Sequence, residues 1–165
     1  MAEHAADILG RRSSCWRSTC LRRTKRREST TLDKKFIHPP ELFKHPAYSR
    51  VVTVQGPSKM IFIAGQTASD ENYKPMFVGD LRGQYHRVME ALTIQLKAAG
   101  ATRDDVVFRR LYVLDMDAFI KIQTDPAMTF PWHPDRPPPS TLVGVTRLSH
   151  PDFLIEIDLF AVTGA

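Results

Sequence analysis

The chain has 165 residues, 42% of them hydrophobic, which is enough for one domain with a genuine core and a tail. No apolar run approaches the length of a membrane span, so none is expected. The formal charge of +5 is local: residues 1–35 hold ten Lys/Arg and four Asp/Glu, a net of +6, and the rest hold thirteen basic and fourteen acidic residues, a net of −1. Charge therefore gives the folded part no reason to bind nucleic acid.

The tail runs through Arg11-Arg12-Ser13-Ser14 and Arg22-Arg23-Thr24-Lys25-Arg26-Arg27. It has little apolar surface to offset the entropy of ordering, so residues 1–35 are expected to be a basic, disordered extension ahead of a domain spanning 36–165. Arg- and Ser-rich composition also fits a mitochondrial transit peptide, although Glu3 and Asp7 count against one. A basic patch for nuclear import or RNA is the third reading. No secretory apolar region precedes a cleavage site, which points to the cytoplasm, or to mitochondria if the tail is a transit peptide. Cys15 and Cys20 both lie in the tail; they exclude a disulfide framework and make a poor zinc site.

From Phe36 to Tyr48 the prolines of His38-Pro39-Pro40 and His45-Pro46 predict irregular chain. Val51–Val54 and Met60–Ala64 are short apolar runs around the turn chemistry of Gln55-Gly56-Pro57-Ser58, and they predict a β-hairpin. Asp80 is a strong N-cap for a helix whose apolar stripe is Leu81, Tyr85, Val88, Leu92 and Leu96, with Gly100 closing it. Val106–Leu114 predicts a strand. Asp115-Met116-Asp117 leads into a short helix over Ala118–Gln123. Six prolines between Asp125 and Pro139 require a loop. Thr141–Arg147 and Phe153–Val162 predict the last two strands.

The order β-β-α-β-α-β-β predicts an α+β domain, a mixed sheet with both helices on one face. The bare sheet face would then need a partner, which self-association supplies most simply.

Several short stretches follow along the domain in a specific order: Tyr48-Ser49, Ile63-Ala64-Gly65-Gln66-Thr67, Ala98-Ala99-Gly100-Ala101, Leu111 to Phe119, Pro137-Pro138-Pro139-Ser140-Thr141-Leu142-Val143-Gly144-Val145 and Leu154-Ile155-Glu156-Ile157-Asp158. Their joint order resembles the RidA (YjgF/RutC-like) family. The resemblance covers roughly Tyr48 to Val162. It implies the chorismate-mutase-like fold, a homotrimer with clefts between subunits, and hydrolytic deamination of imines or enamines without a cofactor. In that mechanism an arginine clamps the substrate carboxylate and a late-strand glutamate activates water. Matched residue by residue, Glu156 is the catalytic carboxylate. Tyr48, Ala64, Gly65, Ser140 and Leu142 occupy the substrate-binding positions.

Ser140 stands where deaminating members carry the arginine. A bidentate arginine–carboxylate pair supplies charge and geometry together, and a hydroxyl supplies neither. Losing such a contact costs ~2 kcal/mol or more, roughly thirtyfold in affinity. Simple 2-imino acids are therefore not the expected substrates, and a pocket retuned for another activated small molecule, in a catabolic or biosynthetic pathway, is. The alternative is a non-catalytic ligand-binding or regulatory trimer that kept the fold and lost the clamp.

A carboxylate such as Glu156 within an apolar strand is costly to desolvate unless it is paired or used; pairing at a subunit interface is its other reading. Asp158 alternates to the same face and reads as a paired or solvated neighbour. Tyr48 equally suits packing. Arg109 and Arg110 must face opposite sides of their strand, so one can enter the cleft or form an ion pair across the trimer. Trp132 either caps a ligand or packs its loop. His38, His45, His133 and His150 lie in loops without ligand spacing and His86 lies off the helix stripe, so no metal site is expected. Neither a phosphate-binding Gly-rich loop nor a Gly-x-Ser-x-Gly nucleophile elbow occurs.

Overall fold

The computed structural model describes residues 31–125, 127, 132–133 and 135–165. The expectations for the basic segment through residue 30, Cys15 and Cys20 included, lie outside the described residues.

Among the described residues six strands and two helices follow in the order β1 (Asp33–Ile37), β2 (Val51–Gln55), β3 (Ser58–Thr67), α1 (Leu81–Ala98), β4 (Val106–Val113), α2 (Met116–Thr124), β5 (Ser140–Gly144) and β6 (Ile155–Gly164), with a 3-10 turn at Arg103–Asp105. The main sheet has the strand order β3-β6-β4-β5. In it β6 runs antiparallel to both β3 and β4, and β5 runs parallel to β4. The expected mixed α+β sheet is present, with both helices on one face. Ile61 and Ile63 of β3, Leu111 and Val113 of β4, and Ile155, Ile157 and Leu159 of β6 form one core with Tyr85, Val88, Leu92 and Leu96 of α1 and Phe119 and Ile122 of α2.

The stripe anticipated on α1 is the buried face: Val88, Leu92 and Leu96 are almost wholly covered, and Leu81 packs at its margin. The Asp80 carboxylate accepts the Gly83 amide at 3.0 Å. At the far end Gly100 has φ +76, and the Gly100 and Ala101 amides donate to Lys97 and Leu96 carbonyls. That left-handed closure satisfies the last carbonyls and favours glycine. Asp115 caps α2 in the same way, through the Ala118 amide.

One pairing differs from expectation. β2 does not form a hairpin with β3; it pairs antiparallel with β1, Phe36 opposite Val52, in a separate two-stranded ribbon. The β1 segment carries only two apolar residues beside Asp33-Lys34-Lys35, and it reads as the end of the basic extension, yet Asp33 already lies in a strand. Alternation explains the difference. Lys34 and Phe36 turn inward, and Lys34 Nζ reaches Asp105 Oδ1 at 2.8 Å, so the charge is paired rather than solvated. Gly56, at φ +113, sits where a Cβ would collide with the Thr31 carbonyl, which leaves room for the chain to leave the ribbon and enter β3.

The sheet face away from the helices has no covering element among the described residues. Met60 and Phe62 are each about two-thirds exposed on it.

Candidate functional site

A cleft of about 710 Å³ opens on that bare face. Its floor is Phe62, Ala64 and Gly65 of β3, Arg110 and Tyr112 of β4, and Glu156, Asp158 and Phe160 of β6; Val145 to Ser149, the turn after β5, forms one wall. Register explains the grouping. Glu156 lies opposite Tyr112 on β4 and Thr67 on β3, and Asp158 lies opposite Arg110. Alternate residues of one strand share a face, which puts Glu156, Asp158 and Phe160 together.

β3 is bulged at this point. Ile63 pairs with Leu159 but Gln66 pairs with Ile157, so Ala64 and Gly65 together face the one residue Asp158. Such an insertion bends the strand and re-aims its neighbours. The Glu156 carboxylate lies directly over Gly65, where a Cβ would overlap Oε1. The Gly at position 65 is thus needed for close approach. Burial, and then the charge of Asp158, hold the Glu156 carboxyl above the usual carboxylate range.

Arg110 and Asp158 form the strong ion pair of the cleft. Arg110 Nε lies 3.1 and 3.0 Å from the two carboxylate oxygens, and Nη2 lies 2.8 Å from Oδ2. The guanidinium also sits 5.4 Å from the Phe160 ring centre. This settles the choice between adjacent arginines: Arg110 enters the cleft, and its acid partner is in its own chain. Arg147, in the wall, has no ion pair with any described residue, which leaves it as a second, uncommitted cation.

Arg109 faces the helices and is almost wholly buried. It donates from Nη2 to the Ala47 carbonyl at 3.0 Å and stacks 4.9 Å from the Trp132 ring centre. Burial lowers its pKa to about 10, so it is still charged at neutral pH. Trp132 accordingly packs its loop against its own domain, in contact with the core margin.

The anticipated site residues divide into two groups. Ala64, Gly65 and Glu156 meet in the cleft. Ser140, the β5 partner of Arg109, and Leu142, which packs on the core, belong to the helix face instead. Tyr48 stacks on His45 with ring centres 4.4 Å apart, and the neighbouring Ser49 amide bonds to the Pro137 carbonyl. Tyr48 and Ser140 thus belong to the β5 side of the domain and do not line the Glu156 cleft of their own chain. Sequence reasoning passed over Tyr112 and Arg147; the only available signal was their strand or turn position beside recognised motifs.

A second cavity of about 300 Å³ lies under β1, beside Lys34, Arg103 and Trp132, and holds none of the residues matched to the family's substrate-binding and catalytic positions. Among the described residues no cluster of three or more His, Cys, Asp or Glu side chains is placed to hold a metal ion. None of the described helices is long and apolar enough to cross a membrane.

A small α+β domain with a carboxylate seated over a bulged strand on an open sheet face is the class these features define. A family model described as endoribonuclease L-PSP matches residues 42–163. A RutC family protein of Pyrococcus abyssi is 32% identical over 114 residues, covering 69% of this chain and 84% of that protein. Another, from Pyrococcus horikoshii, is 35% identical over 101 residues, covering 61% of this chain and 77% of the relative. Among solved structures, the Rid-family protein YyfB from Yersinia pestis, of unknown function, superposes with a TM-score of 0.62 at 29% identity, over 78% of this chain and 97% of that one. The chain belongs to the RidA/RutC family.

Proposed function

We propose that the protein is a hydrolytic deaminase acting on an imine or enamine, with Glu156 as the group that activates water. The observation that carries this reading is the Glu156 carboxyl, held over Gly65 in a cleft and raised above the usual carboxylate range by burial and then by Asp158. In the step, Glu156 accepts a proton from water as the oxygen bonds to the protonated C=N carbon. Glu156 then returns that proton to the amino nitrogen of the carbinolamine, the C–N bond breaks as the hydroxyl becomes the carbonyl, and the released hydroxyl proton leaves with the ammonia as ammonium. Phe62, Tyr112 and Phe160 offer flat apolar surfaces to a conjugated substrate.

Ser140 supplies no charge for a carboxylate, and within its own chain it pairs with Arg109 on the face opposite Glu156. Any anionic group of the substrate is met instead by Arg147, because Arg110 is committed to Asp158. The bare face and the separation of Tyr48 and Ser140 from Glu156 within one chain both favour a homotrimer, in which the Tyr48–Ser140 side of one subunit completes the cleft of the next.

The test is ammonia release from freshly generated 2-aminoacrylate and from neutral imines, for wild type, Glu156→Gln and Ser140→Arg. Turnover of at least one imine that falls a hundredfold or more in Glu156→Gln supports the reading. Turnover unaffected by that change, or none with any imine, sinks it. In the latter case the trimer is a binding protein that kept the fold without the clamp.

A further inference from the structure

Two carboxylates on one strand face, two residues apart, stand only about 7 Å from each other. Glu156 and Asp158 are so placed, and Asp158 is the more buried of the two. Left alone, each would oppose ionisation of its neighbour. Asp158, however, is gripped by three short contacts from Arg110, whose guanidinium is braced on Phe160.

We propose that Arg110 is a positioning residue for the reaction: by holding and neutralising Asp158, it leaves Glu156 free to ionise and so sets the pH at which the cleft can take a proton from water. This rests on reading Glu156 as the water-activating group.

The other groups around Glu156 are few. β4 contributes Arg110 and Tyr112, the wall contributes Arg147, and the strand itself contributes Asp158. β3 contributes Phe62, Ile63, Ala64 and Gly65 to the cleft, with Thr67 opposite Glu156 in the register, and brings no charged group to it. Asp158 is the one charged group that raises the Glu156 carboxyl, burial being the larger cause. Arg110 reaches Glu156 through Asp158. Its own charge is fixed, since the bond to Asp158 raises its pKa further. The arrangement separates duties: Asp158 anchors Arg110 in the floor, Arg110 cancels Asp158, and the residual field on Glu156 is the imbalance between them.

The experiment follows the Glu156 side-chain carboxyl directly, by carbon-13 NMR titration of the full-length protein, with Glu156→Gln used to assign the signal. Arg110→Gln should move the Glu156 midpoint up by about one pH unit, and Asp158→Asn should move it down. In the double variant the effect of Arg110→Gln should largely vanish, because its target is gone. Arg110→Lys, which keeps the charge, should return the midpoint most of the way. The acid limb of kcat/KM should move with the midpoint.

A midpoint unmoved by Arg110→Gln, or moved equally with and without Asp158, overturns the proposal. If Arg110→Gln fails to fold, Asp158→Asn decides alone: a midpoint that does not fall refutes it. These midpoints are read without turnover. If instead Glu156→Gln keeps full activity, the functional reading fails while the coupling among the three residues is still measured.

Discussion

Glu156 is placed at a cost. Its carboxyl is raised in the folded protein, by burial first and by Asp158 second, so the folded state binds its proton more tightly than the unfolded chain does. The sign follows. Below the unfolded carboxylate pKa, near 4, both states are protonated and nothing is lost. As pH rises through the folded value, the unfolded state ionises first and stability falls. Glu156→Gln removes that penalty, so at pH 7 it should melt a degree or more above wild type, with the gap closing below about pH 4. Thermal melts across that range check it; a variant less stable than wild type at pH 7 would mean that the carboxylate is paired rather than strained. The pairing of Asp158 is consistent with this division, since its charge is met by Arg110 and that of Glu156 is not. At this scale much was legible from the sequence. Period-two alternation puts Glu156 and Asp158 on one face, and adjacency puts Arg109 and Arg110 on opposite faces. Which arginine enters the cleft was not legible, because β4 carries buried and half-buried residues on both faces and slips register between Val106 and Phe108. Only the pairing with β6 sets its phase.

Among the elements, the turn into β6 depends on a polar side chain that no apolar pattern discloses. Gln84 on α1 is fully buried; its Nε2 donates to the Asp152 carbonyl at 2.7 Å and to the Phe77 carbonyl at 3.3 Å, and its Oε1 accepts the Leu154 amide at 2.8 Å. It thereby fixes the chain just before Ile155 and Glu156, and holds the loop ahead of α1 as well. Gln84→Leu keeps the volume and orphans these backbone groups. It should cost about 2–3 kcal/mol in urea unfolding with an unchanged m value, and it should lower turnover by loosening Glu156. An unfolding midpoint equal to wild type would show that water replaces the amide without loss. Elements with a strong period or a clear cap were legible: the stripe and Asp80 define α1, and Asp115 starts α2. β1 was not, because Asp33-Lys34-Lys35 resembles the preceding basic stretch and its worth lies in a long-range pair, Lys34 with Asp105, 71 residues on. The β2–β3 hairpin was inferred from good turn residues, but a turn sets only the direction of the chain. β2 found its partner in β1, and β3 found its partner in β6.

For the molecule as a whole, the uneven treatment of the two sheet faces decides what association does. One face is sealed by α1 and α2. The other exposes Met60 and Phe62 at a cleft that contains two carboxylates and two arginines. Apolar side chains of this size, exposed at the rim of a site, mark a surface meant for contact. Tyr48 and Ser140, both matched to family positions and both absent from the chain's own cleft, point the same way: a site divided between copies. Replacing Met60 with Lys places a charge on that face outside the cleft floor and without touching the core, because the neighbouring Ile61 carries the buried side of β3. The variant should stay folded by circular dichroism, run as a monomer in light scattering where wild type is expected to run as a trimer, and lose turnover even though Glu156, Gly65, Phe62 and Arg110 are intact. A monomer that still turns over would show that one chain holds the whole site and that Tyr48 and Ser140 serve only packing. A variant that stays trimeric would move the contact to another surface, and the β1–β2 ribbon, with Val51 and Val54 exposed, would be the next to test.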